Sequence, residues 1–383
     1  MERRQLTPKT RKVMVVLLVS MIIILLLLLT SYLLVHSYIN KMNLVSTLEN
    51  TDLNVNSEAE VDSIHLEIEH EEIEPFENVD LDATDLNIPD SPVNEIATVE
   101  DNIRNNLEEN SIPILYDKNV FNILLIGSDT RKSGGAGRSD AMILLSINKK
   151  TKKIIVTSIL RDIYLQIPGK KNNNRINAAY AFGGADLLME TIEQNFKIQV
   201  EQYASVDFYA FIDIVDAVEG VTLEVTEKDI PVINGYVMEL NQLTGQEETK
   251  DFLTEPGTLL LSGKQALGYA RNRYVGNSDF ERTARQRKVL EQIFKKVKNS
   301  ELAEIKALLN IILPQITTNL TEGEIFSLIL SLPSYIDYDI EQWSIPMAGT
   351  YSSKRIRGMA VLGIDFNENI DELHSKVYDE ALE

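Results

Sequence analysis

The chain has 383 residues, with 58 Asp and Glu against 37 Lys and Arg, and a formal net charge of -21. It contains no cysteine, which excludes thiol nucleophiles, disulfides and thiolate zinc sites. Its four histidines, His36, His65, His70 and His374, fall at the end of an apolar stretch, in an acidic tract and near the C-terminus. A Ser-His-Asp triad is therefore disfavoured, and chemistry must run on Asp, Glu, Arg, Lys and hydroxyls.

Residues 1–12 form a short basic tail carrying Arg3, Arg4, Lys9, Arg11 and Lys12. An uncharged apolar run from Val13 to Val35 follows. As a helix it would measure about 35 Å, enough to cross a bilayer core. Residues 13–36 are therefore expected to be a single transmembrane helix, since the run is longer than a signal-peptide core and no small-x-small cleavage pattern follows it. Basic residues before the run and acidic ones beyond it predict a cytoplasmic N-terminus, with the rest of the chain outside the cell membrane.

Residues 37–115 read as an acidic extracytoplasmic linker. From Glu49 to Glu109 the one basic residue is Arg104, and aromatic residues are few. Such a composition buries too little apolar surface to fold, and it predicts a disordered spacer. Ile64 to Glu69 alternates like a local strand, and Val99 to Glu109 has the pattern of a brief helix.

Residues 116–383 have the pattern of an α/β domain, long enough for one sizeable core. Strands are predicted at Asn122–Ile126, Ala141–Ile147, Lys153–Ile159, Val221–Val225 and Glu341–Ile345. Helices are predicted near Ala178–Ala181, Gly184–Phe196, Phe208–Val218, Gly263–Arg271, Asp279–Val297, Leu302–Leu313 and Glu322–Leu332. The alternation predicts a central mixed β-sheet covered by helices on both faces.

Between the first two strands the chain reads G-S-D-T-R-K-S-G-G-A-G-R-S-D over residues 127–140. Glycines allow backbone amides close to an anion, but Arg138 stands where a Walker loop needs lysine, and a strand follows in place of a helix. Asp129 closes one strand and Asp140 opens the next, so a hairpin can bring two carboxylates together. Two hard oxygen donors beside arginines and a phosphate suit Mg²⁺, with Mn²⁺ as a substitute. The alternative for this stretch is a surface loop with a turn-forming Asp at each end.

Nine of the eleven arginines after residue 116 lie in four stretches: Arg131 and Arg138, Arg161 in S-I-L-R-D, Arg175 in R-I-N-A-A-Y, and Arg271, Arg273, Arg282, Arg285 and Arg287 in Y-A-R-N-R-Y…D-F-E-R-T-A-R-Q-R. Guanidinium forks match phosphate oxygens in pairs, so their convergence points to a multiply charged phosphate ligand, while any one of them could instead pair with Asp162, Asp279 or Glu281. On the Asp279–Val297 helix, Arg282 and Gln286 share a stripe with Val289, Ile293 and Val297 and so face inward. A buried guanidinium and amide require partners or a ligand.

This ordered set, together with V-D-F-Y-A-F-I-D-I-V-D-A-V-E-G-V, resembles the LytR-CpsA-Psr family of bacterial cell-wall proteins over a motif core of about residues 120–298. The resemblance implies a Mg²⁺-dependent phosphotransferase. Such an enzyme moves a glycopolymer, such as teichoic acid or capsular polysaccharide, from an undecaprenyl pyrophosphate carrier to peptidoglycan at the membrane surface. Carried over to this chain, Asp129 and Asp140 match metal-associated aspartates, and Arg138, Arg161, Arg271, Arg273, Arg282 and Gln286 match the pyrophosphate-binding set. Arg138, Arg161 and Asp279 are the expected catalytic groups, with Asp279 a candidate for activating the acceptor hydroxyl. Leu160, Ala141 and Glu281 depart from the usual family residues without removing a charged ligand.

A carrier tail needs an apolar groove, for which Leu187, Leu188, Phe208, Phe211, Ile212, Ile214 and Val215 are candidates; core packing explains each equally well. Two alternatives use the same residues: a polyprenyl pyrophosphate pyrophosphatase with water as acceptor, and a non-catalytic glycolipid-binding protein. Nucleic acid is not an expected partner, because the chain is acidic and lacks a basic recognition helix.

Overall fold

The computed structural model describes residues 43–44, 89–109, 112–128, 138–276, 278–300, 304, 308, 310–335 and 337–379. The expected transmembrane run at 13–36, the alternation at 64–69 and the glycine-rich part of the opening loop, Asp129 included, lie outside these residues. Among the described residues, no helix is long and apolar enough to cross a membrane.

The strands are β1 (Asn43–Leu44), β2 (Val120–Ser128), β3 (Ser139–Asn148), β4 (Lys153–Ile159), β5 (Tyr164–Leu165), β6 (Asn174–Arg175), β7 (Gln202–Val206), β8 (Val221–Val225), β9 (Gly257–Leu261), β10 (Thr317–Thr318), β11 (Asp339–Ile345), β12 (Tyr351–Ile356) and β13 (Met359–Ile364). The helices are α1 (Val93–Arg104), α2 (Ala178–Phe196), α3 (Phe208–Ala217), α4 (Asp229–Leu243), α5 (Gly263–Arg271), α6 (Ser278–Asn299), α7 (Glu322–Tyr335) and α8 (Phe366–Tyr378).

Seven strands form one mixed sheet in the order β1-β10-β7-β2-β3-β4-β11. Its central hairpins, β2 with β3 and β3 with β4, are antiparallel, while β7 joins β2 and β11 joins β4 in parallel. Alternation along each strand feeds two cores. Leu124, Ile126, Met142 and Leu144 point into the larger one with α2 and α8, whereas Ile143, Ile147, Ile154 and Val156 meet Leu290 of α6 and Tyr335 of α7 on the other face. The expected two-sided covering is what the chain forms.

Two expectations need correction. Val221–Val225 is a strand, but it pairs with β9 outside the main sheet, and with α3, α4 and α5 it encloses a separate apolar cluster around Val215, Val237 and Leu261. The linker does not extend to residue 115. Residues 93–104 form α1, which continues as a π turn over Asn105–Glu109, and Val99 and Ile103 are buried in the larger core. Ile96, Val99 and Ile103 recur at helical spacing, a stripe that averaging over an acidic tract conceals. The predicted helices at 178–181 and 184–196 are borne out as two segments of α2, parted by non-helical backbone at Gly183 and Gly184, where Gly184 adopts φ 65°.

Because the four parallel strands run one way and β3 the other, the C-terminal ends of β2, β4, β7 and β11 and the start of β3 share one end of the sheet. The charged motifs gather at that end.

Candidate functional site at the sheet end

Asp140 owes its position to an irregular ladder. Gly127 pairs with Ala141 and Ser128 with Ser139, so Asp140 is the extra residue of a β-bulge. Bulges re-aim a side chain and end regular pairing. Arg161, one residue past the buried Leu160 that follows β4, reaches across and donates from Nη1 to Asp140 Oδ1 at 2.9 Å.

Arg161 is the hub of a larger network. Its Nε lies 3.6 Å from Asp162 Oδ2 and 3.9 Å from Asp279 Oδ1. Asp279 sits in the first turn of α6, where the helix dipole favours a carboxylate, and Arg282 Nη2 lies 2.7 Å from its Oδ1. Arg175 closes the far side, with Nη1 3.5 Å from Asp162 Oδ1. Arg282 is only 4 % exposed, and its Nε and the Gln286 Oε1 are buried without a hydrogen-bond partner in the structure. The inward stripe predicted for α6 is therefore present, and it carries unsatisfied polar atoms that a ligand could engage.

Electrostatics separates the carboxylates. Burial alone would raise the Asp140 pKa, but the guanidinium groups of Arg161, Arg282 and Arg271 outweigh it and hold this carboxyl at about 2. For Asp279, burial and the neighbouring Asp162 charge raise the pKa despite Arg282 and Arg161. Asp162 is shifted the other way. Burial would raise it, but Arg161 and a hydrogen bond from Asp279 keep it ionised. Two carboxyls in contact with unlike affinities for a proton result.

Arg271 approaches from the opposite flank. Its guanidinium is sandwiched at 4.4 Å from the Phe208 ring and 4.6 Å from the Tyr236 ring. That stacking fixes the plane of the fork. Arg273 lies 5.5 Å from the ring of Tyr274. Between the two arginines, fully buried Asn272 is locked from three sides. Its Nδ2 donates to Asp229 Oδ1 at 2.8 Å, its Oδ1 accepts from the Tyr274 N–H, and its carbonyl accepts from Arg285 Nη1 at 2.8 Å. Arg285 also donates to the Val275 carbonyl, so it holds the 271–276 turn and does not face a ligand.

The structure therefore brings Asp140, Arg161, Asp279 and Arg282 into one network, with Arg271 close enough to act on the Asp140 charge. Arg138, 9 % exposed, immediately precedes β3. Of the proposed apolar groove, Leu188 and Val215 are fully buried core residues, and Phe208 serves as a platform for Arg271. Asp162, Asp229 and Asn272 were not singled out for the site by sequence. The T-E-K-D spacing at 226–229, in which Asp229 Oδ2 accepts from the Thr226 N–H and hydroxyl, is the local signal that marks Asp229 as a turn clamp. His374 is fully buried against the Phe196 and Lys197 carbonyls, a structural position away from the network.

Among the described residues, no group of three or more His, Asp or Glu is arranged to hold a metal. Asp140 nevertheless suits a hard cation that completes its shell with ligand oxygens: it is ionised, lifted out of the ladder by the bulge, and opposite the strand end from which the chain runs on to Asp129.

Comparison with known proteins places the chain in a family. The LytR_cpsA_psr family model matches residues 90–374. The chain is 37 % identical over 186 residues to the polyisoprenyl-teichoic acid–peptidoglycan teichoic acid transferase TagU of Enterococcus faecalis, covering 48 % of this chain and 55 % of that protein. This chain thus spans about half the length of that relative. It is 32 % identical over 235 residues to TagU of Bacillus licheniformis, covering 61 % and 71 % of the two chains. Among solved structures, the LytR-CPS2A-psr family protein YwtF (TagT) with bound octaprenyl pyrophosphate lipid superposes with a TM-score of 0.51 at 26 % identity, over 71 % of this chain and 98 % of that one.

Proposed function

This chain belongs to the LytR-CpsA-Psr family, and from that premise we propose that it transfers a glycopolymer from a polyprenyl pyrophosphate carrier to a peptidoglycan sugar hydroxyl. The observation that carries the reading is the convergence of Arg161, Arg282 and Arg271 around ionised Asp140 at one sheet end. The similar YwtF (TagT) structure with bound octaprenyl pyrophosphate lipid supports it, since that ligand is the anion such a cluster suits.

In this reading Arg138, Arg161, Arg271, Arg273, Arg282 and Gln286 grip the pyrophosphate. The acceptor oxygen attacks the phosphorus next to the sugar, a new O–P bond forms, and the bond to the lipid phosphate oxygen breaks. Negative charge grows on the phosphoryl and leaving oxygens, where preplaced guanidiniums stabilise it at little reorganisation cost. Asp279, more basic than an ordinary carboxylate, takes the hydroxyl proton and then donates a hydrogen bond to ionised Asp162. Asp129 and Asp140 would hold Mg²⁺ or Mn²⁺, which when bound supplies further charge neutralisation at the phosphoryl oxygens.

The test is transfer of a defined lipid-linked glycan to peptidoglycan by the purified full-length protein, with and without Mg²⁺. Mg²⁺-dependent covalent product is expected. Release of the glycan phosphate into water at an equal rate whether or not peptidoglycan is present would replace transfer with hydrolysis.

A further inference from the structure

The charged site has two halves carried by different parts of the fold. Asp140 and Arg161 belong to β3 and to the residues after β4 in the main sheet, whereas Arg271 ends α5, which packs with α3 and α4 in the apolar cluster outside that sheet. A ligand gripped by both halves needs their spacing fixed.

Helix α6 touches both. Its Arg282 pairs with Asp279 in the network, and three residues on, Arg285 reaches the segment that follows α5. Arg285 donates from Nη1 to the Asn272 carbonyl and from Nη2 to the Val275 carbonyl, each at 2.8 Å, and its Nη2 lies 3.5 Å from Asp229 Oδ1. Asp229, the first residue of α4, accepts from Asn272 Nδ2 on that same oxygen and from the Thr226 N–H and hydroxyl on the other. The three residues are buried, at 0 % exposure for Asn272, 3 % for Asp229 and 6 % for Arg285. Buried ions are costly unless every partner is in place, so this cluster tolerates one arrangement.

That arrangement ends on the residue between two arginines. Asn272 leaves the helix with extended backbone, φ -63° and ψ 112°, and in extended chain neighbouring side chains point to opposite sides. Burying Asn272 therefore turns Arg271 and Arg273 together toward the half-exposed side. We propose that Asp229, Asn272 and Arg285 are positioning residues for the donor substrate: a buried lock that sets Arg271 and Arg273 at a fixed reach from Arg282 and touches no substrate itself. This rests on the reading above that these arginines hold a pyrophosphate. Because Arg282 and Arg285 lie one turn apart on α6, that helix is the rung joining the sheet-borne half of the site to the half outside the sheet.

Arg285→Lys is the informative change, since lysine keeps the charge but cannot span two carbonyls and a carboxylate as the guanidinium does. The probe is geranyl pyrophosphate, titrated calorimetrically into full-length protein. Wild type is expected to bind it, and Arg285→Lys to bind it about tenfold more weakly, as the loss of charge-assisted hydrogen bonds predicts. The readout specific to positioning is coupling. In an Arg271→Ala background, where one of the locked groups is already gone, Arg285→Lys should cost about threefold or less, whereas a purely structural role costs the same factor in both backgrounds. Should Arg285→Lys fail to fold, Thr226→Val removes one donor from Asp229 and carries the same comparison, with a smaller loss. Equal losses in the two backgrounds, no loss in either, or absence of wild-type binding overturns the lock. Coupled loss of binding in a protein that forms no transfer product would keep the lock and reject the transferase reading.

Discussion

Asp140 carries a charge that burial opposes and three guanidiniums sustain, so its roles in stability and function can be tested together. Its folded pKa of about 2 lies below the ordinary aspartate value of 3.8. The stabilisation it provides is complete above the unfolded value and is lost as pH falls from near 4 toward 2. Asp140→Asn should remove about 2 kcal/mol of that acid-sensitive stability, read as a flatter dependence of the denaturation midpoint on pH below 5. The same change should cost about 100-fold in turnover at neutral pH, as removal of a charged group at a phosphoryl site does. Arg271 tests geometry: lysine keeps the charge but loses the planar stack on Phe208 and Tyr236. Arg271→Lys should therefore lower kcat/KM at least about tenfold, and wild-type rates would show that only charge matters there. Asp279 has the opposite shift. Its raised pKa means that ionising it opposes folding, so stability should decline as pH rises through its folded pKa, while activity rises over the same range as the base is freed. Asp279→Asn should abolish that acidic limb in a pH–rate profile; an unchanged limb assigns it to another group.

At the scale of elements, α1 shows how a short stripe outweighs its surroundings. Val99 and Ile103 lie in the core, and a Cβ added at Gly363 of β13 would come within 2.7 Å of Val99 Cγ2, so helix and strand are in close contact. Val99→Ala should destabilise by about 1 to 3 kcal/mol, and a chain begun at residue 116 should unfold at lower denaturant than one begun at residue 89. Identical midpoints would make α1 an ornament. What sequence reveals follows the strength of local periodicity. β4, β8 and α5 are legible to the residue because an apolar run, strict alternation and a capping Ser262 delimit them in turn. β7 escaped notice because its inward positions are Tyr203 and Ser205, a weak apolar signal in a strand that nevertheless pairs with β2. The β12–β13 hairpin and α8 were likewise not anticipated, although Phe366, Ile370, Leu373 and Val377 recur at helical spacing. At the site, arginines were legible because their clustering departs from chance. Asn272 and Asp229 were not, because a buried polar clamp looks like any polar residue until its partners across the fold are known.

For the whole molecule, charge is partitioned in a way that bears on where the reaction occurs. Basic residues concentrate before the apolar run at 13–36, acidic ones dominate the tract after it, and Arg161, Arg271 and Arg282 of the folded part gather around Asp140 at one sheet end. We propose a retained single-pass anchor with the N-terminus in the cytoplasm and the catalytic domain outside, where lipid carriers in the outer leaflet and the glycan mesh are both within reach. The absence of native cysteine makes topology directly measurable, because one introduced thiol is the only one present. Thr7→Cys lies in the basic tail, and Lys149→Cys lies at the exposed β3–β4 turn, far from the site end of the sheet. In intact wall-stripped cells, a membrane-impermeant maleimide should label Lys149→Cys, and should label Thr7→Cys only after lysis. Labelling of Thr7→Cys in intact cells would reverse the orientation. Recovery of Lys149→Cys protein in the medium, with its N-terminus just past His36, would show that the apolar run is cleaved, and the enzyme would then have to find its lipid-linked donor without an anchor.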